Sequence, residues 1–502
     1  MKRTITILPD DIKIIAQAGE TLLNVLRAQE LAPDAPCGGA GTCGKCLVSV
    51  DGKIVRSCDY IVTEDITVRL LPKNKTEQIL TDGFGAHVDM DPWQAGHMLA
   101  FDIGTTTVVC YLLQEKTGKV LATCSAVNPQ QSFGADVISR IQRALAGDQA
   151  ELTDLIRREM AALMVQACRE GKITPDKIGV VSVVGNPCMQ QLFLGISPEN
   201  LARIPFAPVL TKGELWDAGD YLEGCCHAKL LVVPDISGYV GADTVGCVLA
   251  AEIDVAEAMT LLVDIGTNGE MVLGNRHRMV ACATAAGPAL EGAGIRFGMR
   301  GAEGAIDHVW IEDGALRHSV IGGGKAKGIC GSGIVDAVAV LLKMGLLNRR
   351  GRLQSREQAT VFAEFLREVD GERVFDLADG IHLSQSDIRQ VQMAKGAIAA
   401  GIDLMISRMG IAMDDVDQVL LAGAFGSYID IENACRIGLL PSGLRDRIRA
   451  VGNAAGSGAR RLACNRRELE RAQSIADKAT FIELATLPEF QRRFAKNMEF
   501  QL

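Results

Sequence analysis

The chain has no apolar run long enough to cross a bilayer, and its start, Met-Lys-Arg-Thr-Ile-Thr-Ile-Leu-Pro, carries no signal-peptide core. A soluble protein without membrane partners, located in the cytoplasm, is the expectation. Positive charge is also short. Lys and Arg number 52 against 61 Asp and Glu, a formal charge of −9, which argues against nucleic acid or an anionic membrane as the main partner. Aromatics make up only 4%, so aliphatic side chains must fill the cores. No Gly-x-x-x-x-Gly-Lys-Ser/Thr run occurs, which excludes a P-loop fold. Fifteen cysteines without a secretion signal fit a reducing compartment. Most of them stand alone in apolar surroundings and read as core residues. Cys225-Cys226-His227 is read the same way, because adjacent cysteines cannot easily share one metal.

What is present is concentrated early. Cys37-Gly-Gly-Ala-Gly-Thr-Cys43-Gly-Lys-Cys46, with Cys58 in the next strand, places three thiols in one glycine-rich loop and a fourth nearby. Three sulfurs converge on one cluster only if the loop curls around it, and Gly38, Gly39, Gly41 and Gly44 supply that freedom. The plant-type iron–sulfur spacing is C-x₄-C-x₂-C; here the first gap has one more residue, as in related five-spaced [2Fe–2S] loops. Zinc is the chemical rival, but zinc sites usually pair two short Cys-x-x-Cys knuckles; a disulfide framework fits less well. The predicted metal ligands are therefore Cys37, Cys43, Cys46 and Cys58.

Around the loop, Arg3-Thr-Ile-Thr-Ile-Leu and Ile12-Lys-Ile-Ile-Ala alternate as strands, and Glu20 to Glu30 has helical apolar spacing. Leu47-Val-Ser-Val and Ile54-Val flank an Asp51-Gly52 turn signal, and Ile66-Thr-Val-Arg-Leu-Leu closes the set. Residues 1–74 thus resemble the α+β β-grasp of [2Fe–2S] ferredoxins. Residues 75–98, polar and interrupted by glycine and proline, read as a linker whose length would let the module move.

The remainder, 99–502, contains an internal echo. Leu99-Ala-Phe-Asp-Ile-Gly-Thr-Thr-Thr and Leu261-Leu-Val-Asp-Ile-Gly-Thr-Asn-Gly-Glu repeat one apolar strand and one Asp-Ile-Gly-Thr turn. In each the Asp closes a buried strand and Gly permits a tight hairpin, with amides and hydroxyls facing a space that can take a polyphosphate. Each is followed by a continuing strand and later by a strand running into glycine, with helices expected at Asp136 to Leu145, Leu152 to Glu170 and Ile388 to Met409. This duplicated α/β pattern resembles the acetate and sugar kinase/Hsp70/actin superfamily, which holds ATP between two lobes, here about 99–255 and 256–502.

That resemblance implies ATP and Mg²⁺ as ligands. Asp102, Gly104, Thr105 and Thr106 match the first phosphate motif, and Asp264, Gly266, Thr267 and Asn268 the second, with the two aspartates holding Mg²⁺ through water. Gly423, Ala424 and Gly426 match the adenosine-side turn; Gly322-Gly-Gly and Gly331-Ser-Gly are either further backbone contacts or plain turns. Glu270 is either an acid that orients attacking water or an exposed turn acid, and Asp235 and Asp243 are further acids that could face the cleft.

Asn128-Pro-Gln, Phe133-Gly-Ala-Asp-Val-Ile-Ser-Arg, Val184-Gly-Asn-Pro-Cys-Met, Gly238-Tyr-Val-Gly-Ala-Asp, Ala285-Ala-Gly-Pro-Ala-Leu-Glu-Gly, Gly328-Ile-Cys-Gly-Ser-Gly and Leu421-Ala-Gly-Ala-Phe-Gly-Ser-Tyr narrow this further. Together they resemble the ATP-dependent reductive activators of corrinoid proteins. The resemblance implies a partner corrinoid protein of a methyltransferase system, reduced by one electron from Co(II) to Co(I), and an upstream low-potential electron donor; it also admits a homodimer. The chain departs from larger members in its short linker. It also lacks the C-terminal four-cysteine cluster of some relatives, since Cys435 and Cys464 are too few and too scattered. Two other readings share the motifs: an activator of another low-potential metalloenzyme, and a kinase-fold ATPase with a regulatory iron–sulfur domain, for which Asp235 or Asp243 would bind the substrate.

Overall fold

The structure is a computed structural model that describes residues 2–8, 12–29, 31–33, 35, 39, 41, 46–70, 83, 89–266 and 268–500. The alternating N-terminal segments form a five-stranded sheet in the order Ile12–Gln17, Lys2–Leu8, Ile66–Leu70, Leu47–Val50, Lys53–Arg56. Its first and last strands lie parallel at the centre, Ile5 beside Ile66, and the outer pairs are antiparallel. The helix Leu22–Arg27 crosses one face, burying Leu22, Leu23 and Leu26 against Ile5, Val48 and Val68. This is a β-grasp. Asp51 and Gly52 both take positive φ, 47° and 86°, as a two-residue hairpin turn requires, and the Asp51 carboxylate accepts from the Thr67 amide at 2.9 Å.

The helix is shorter than its apolar spacing suggests. Glu20 gives its carbonyl to the Val62 amide, and Thr21 bridges Ile61, so the chain there is held extended. At the other end the Leu31 amide turns back to the Leu26 carbonyl at 2.9 Å, closing the last turn.

The body holds two six-stranded sheets built alike. One runs Glu214–Asp217, Lys229–Val232, Ile178–Gly185, His97–Ile103, Thr107–Leu113, Val120–Val127; the other runs Ile448–Gly452, Gln418–Ala422, Thr260–Ile265, Gly269–Gly274, Met279–Thr284, Ala479–Phe481. In both, the strand carrying Asp-Ile-Gly-Thr sits between an antiparallel hairpin partner and a parallel strand that arrives after a helical excursion. Long helices Gln149–Glu170 and Gln385–Met409 cover the outer faces. Between the sheets the helices Ala242–Ala250 and Ala454–Cys464 cross so closely that a Cβ on Gly458 would lie 2.1 Å from the Gly246 carbonyl oxygen. A core drawn from both sheets, including Val180, Val184, Leu262 and Leu420, packs around this pair. The lobes therefore share a floor and open on one side.

Of the segment read as a linker, residues 75–82 and 84–88 lie outside the described residues, as do 71–74 before it. The part before His97 is tied to the body: Asp91 donates its amide to the Cys464 carbonyl, its own carbonyl accepts from Arg466, and Asn465 donates to the Asp89 carbonyl at 2.8 Å. The β-grasp meets the first lobe at Phe133. The Arg27 guanidinium lies 5.2 Å from the centre of the Phe133 ring, while Arg143 packs on the same ring at 5.6 Å.

Candidate active site

Between the lobes lies a cavity of about 620 Å³. One wall is the first Asp-Ile-Gly-Thr turn. The Gly104 amide donates to the Thr107 carbonyl at 2.9 Å, and Asp102, Gly104, Thr105 and Thr106 all border the cavity. The opposite wall is the second turn, closed by the Gly266 amide on the Asn268 carbonyl at 2.9 Å. Asp264, Gly266 and Asn268 border the cavity, whereas Thr267 lies outside the described residues. Gly423 joins them with φ of 83°, and a Cβ there would sit 2.5 Å from an Asp264 carboxylate oxygen, so only glycine fits. The turn that the family resemblance expects on the adenosine side forms the helix Gly423–Tyr428. Gly426 packs against Leu421, off the cavity wall, and the side chain of Ala424 lies outside the described residues. Gly322, Gly331 and Ser332 border the cavity; Gly333 packs against the Ile306 carbonyl instead.

Four acids meet on the floor. Burial and the nearby Asp243 push Asp102 up to about 7, against a hydrogen bond from the Asn453 amide at 2.8 Å. Burial, then Asp243 and Asp102, push Asp264 to about 7 as well. Burial raises Asp243 to about 6. Glu270, directly opposite Asp264 in the hairpin register, is driven well above the carboxylate range by burial, Asp243 and Asp264. It is not an exposed turn acid. Hard oxygen donors of this kind suit Mg²⁺, and a cation among them would relieve the repulsion that raises them. Among the described residues no three His, Cys, Asp or Glu side chains converge closely enough to ligate one ion directly. Asp235 is not one of the four acids, since its carboxylate accepts from the Ala242 amide at 3.2 Å, outside the cavity.

The first turn is braced from behind. The Asn128 side chain donates to the Gly104 carbonyl at 2.8 Å and Gln131 to the Thr106 carbonyl at 2.9 Å. Arg140, fully buried, donates to the carbonyls of Gly134 and Thr105 and to the Gln130 side chain. Burial lowers it to about 10, so it remains a cation beneath the loop at neutral pH.

In the β-grasp, Cys46 is buried and its thiol hydrogen-bonds that of Cys58, which burial first, and then Cys46 and Asp59, push up to about 12. Cys37 and Cys43 lie outside the described residues. Gly39 and Gly41 of the loop take positive φ, and a Cβ on Gly39 would press within 3.1 Å of Leu23 and 3.8 Å of the Arg27 guanidinium. Arg56 donates to the Gly41 carbonyl at 2.9 Å. Two convergent soft thiols under a glycine loop fit an iron–sulfur cluster. The remaining cysteine motif is structural: Cys225 packs on the Met164 sulfur at 3.1 Å, and the His227 carbonyl accepts from Gln94.

Residues 5–69 match the 2Fe-2S iron-sulfur cluster binding domain family, 97–256 the RACo middle region and 258–502 the C-terminal ASKHA domain of RACo. Over 416 residues, 80% of this chain and 70% of the relative, the sequence is 37% identical to the corrinoid activation enzyme RamQ of Eubacterium limosum. The chain belongs to the RACo family. It is also 27% identical to the [Co(II) methylated amine-specific corrinoid protein] reductase of Methanosarcina barkeri, over 76% of this chain and 72% of that one. A solved structure titled reductive activator for corrinoid,iron-sulfur protein superposes with a TM-score of 0.74 at 28% identity, covering 99% of this chain and 98% of its own.

In this RACo-family chain several residues around the cleft had no assigned role in the sequence. Arg140, Asn128 and Glu291 stand inside the segments that identify the family, but only folding brings them to the turns. Asn453 is 351 positions from its partner Asp102, and nothing local marks it.

Proposed function

We propose that this RACo-family chain passes one electron to the Co(II) corrinoid of a partner protein in a methyltransferase system, regenerating Co(I) for methyl transfer, and that ATP turnover in the cleft drives the step. When bound through Cys37, Cys43, Cys46 and Cys58, a [2Fe–2S] cluster supplies the electron, refilled by an upstream low-potential donor. Asp102 and Asp264, with Asp243 and Glu270 beside them, hold Mg²⁺ through water. Gly104, Thr105, Thr106, Gly266, Thr267 and Asn268 cradle the phosphates, and Gly423, Ala424 and Gly426 lie toward the adenosine. The reading places the protein in the cytoplasm, away from nucleic acid and membrane, and accommodates a homodimer.

Energy explains why one chain would carry both parts. A plant-type [2Fe–2S] centre sits near about −400 mV, and each ~59 mV by which the cobalt couple lies lower costs a factor of ten for one electron. A deficit of about 0.1 to 0.2 V is roughly 2 to 5 kcal/mol, within reach of nucleotide-gated differential binding of the partner. The observation that carries the proposal is the contact between the two parts. Arg27 stands near Gly39 of the cluster loop, 3.8 Å from where a Cβ there would lie, and also over the Phe133 ring of the first lobe. The carbonyl following Phe133, that of Gly134, is held by Arg140, which also holds Thr105 of the first phosphate loop. A nucleotide that moves this loop thereby acts on the seat of the cluster module.

The test is to mix anaerobically reduced protein with a Co(II) corrinoid protein, with and without Mg-ATP, and follow the cobalt spectrum. Co(I) should accumulate only with ATP, and the corrinoid protein should stimulate ATP hydrolysis, because linkage is reciprocal. Equal Co(I) formation with and without ATP would defeat the proposal.

A further inference from the structure

We infer that Glu291 is the carboxylate that takes the proton from the attacking water in ATP hydrolysis, an assignment that rests on the nucleotide-cleft reading. Six carboxylates border the cavity: Asp102, Asp243, Asp264, Glu270, Glu291 and Asp307, the last engaged by the Ser319 hydroxyl at 2.6 Å within its own sheet. The first four crowd one floor, where each raises others by repulsion, and their collective use is to face a cation. Glu270 in particular is the register partner of Asp264 and belongs to that floor. Whatever holds the water must stand across the phosphates from it.

Glu291 is placed there. It leaves the second lobe from a tight loop whose ends, Gly287 and Gly292, have φ of 76° and 79°. Its side chain reaches the first lobe, where one carboxylate oxygen accepts from the Thr106 hydroxyl at 3.3 Å. The other oxygen lies 3.5 Å from where a Cβ on Gly266 would be. One carboxylate thus bonds the first phosphate turn and stands beside the second, so a terminal phosphate bound between those turns lies within its reach.

The step balances without a further reactant. The water oxygen bonds to the γ-phosphorus, the bond from that phosphorus to the β,γ-bridging oxygen breaks with its electron pair going to ADP, and the water proton goes to Glu291. In phosphoryl transfer such a group mainly orients the nucleophile, and general bases of this type contribute about 10²- to 10⁴-fold.

The experiment uses the full-length, cluster-loaded protein with Mg-ATP, measuring phosphate release and, separately, equilibrium binding of ATP. Glu291→Gln should lower kcat at least about 100-fold while ATP binds within about threefold of wild type and the visible cluster spectrum is unchanged. Glu291→Asp, which keeps the carboxylate, should hydrolyse at least tenfold faster than Glu291→Gln. Hydrolysis by Glu291→Gln within fivefold of wild type overturns the inference, as does loss of binding in step with hydrolysis, which would make the residue a clasp between lobes. Failure of wild type itself to bind ATP would instead remove the nucleotide-cleft reading, so the two failures are distinguishable.

Discussion

The two Asp-Ile-Gly-Thr turns are alike in sequence and differ in what surrounds them. The second carries a pair of acids, since Asp264 faces Glu270 across the hairpin and Gly423 makes room for Asp264, where the first carries Asp102 alone. The first carries the braces: Asn128, Gln131 and Arg140 hold its carbonyls, and Asn186 donates to the Thr105 hydroxyl at 3.0 Å. The turn that is braced is also the one linked, through Gly134 and Phe133, to Arg27 and the cluster module.

The largest expected effect separates the turns at the chemical step. Asp264→Ala should bring Mg-dependent ATP hydrolysis to background without changing the cluster spectrum, whereas Asp102→Ala should cost less, about 10²- to 10³-fold. Equal losses in phosphate-release assays would mean that the turns share the chemistry evenly.

Arg140→Leu tests the bracing. It strips the Thr105 and Gly134 carbonyls of a buried donor, and each orphaned acceptor costs about 1–3 kcal/mol. Urea unfolding should show a loss of about 3 kcal/mol, together with weaker ATP binding and an intact cluster. Full stability in this variant would show that the brace is not needed.

A pH dependence follows from the floor. Folding raises Asp102 and Asp264 from 3.8 to about 7, so between those values the folded protein holds more protons than the unfolded chain and stability falls as pH rises. Without nucleotide the melting temperature should drop from pH 5 to pH 8, and Asp102→Asn should flatten that drop. A steeper slope in Asp102→Asn would reverse the assignment.

The smallest effect is at the seam. Arg27→Ala removes a cation–π contact worth about 0.5–2 kcal/mol, so ATP hydrolysis without partner should stay within twofold while ATP-dependent Co(I) formation slows. If both rates were unchanged, the contact at Phe133 would not transmit.

What was legible in the sequence was local. The repeated turns, the Asp51-Gly52 hairpin and the strand alternation of the β-grasp depend on neighbours a few residues apart, and all appear where the spacing puts them. The helix expected from Leu152 begins at Gln149, and the one expected from Ile388 begins at Gln385, where Ser384 and Asp387 form a capping box. What was not legible depends on long-range packing. Asp235 and Asp243 look equivalent as a pair of nearby acids, yet the start of the helix at Ala242 turns Asp235 into a support and leaves Asp243 on the cavity floor. Glu270 reads equally as a water-orienting acid or an exposed turn acid until the register places it opposite Asp264. Glu291 faces Thr106 only because two lobes close on each other.

The central claim is that an electron leaves through the N-terminal module and that ATP supplies the drive. It is tested most directly by holding reductant at a ferredoxin-like potential, near about −400 mV, and recording Co(I) formation on a corrinoid protein by the full chain and by a chain lacking residues 1–74, both with Mg-ATP. The account predicts Co(I) with the full chain and none with the truncated one, which should still bind ATP. Co(I) formed equally by the truncated, ATP-binding chain would contradict it and make this protein a remodeller of its partner rather than a reductase.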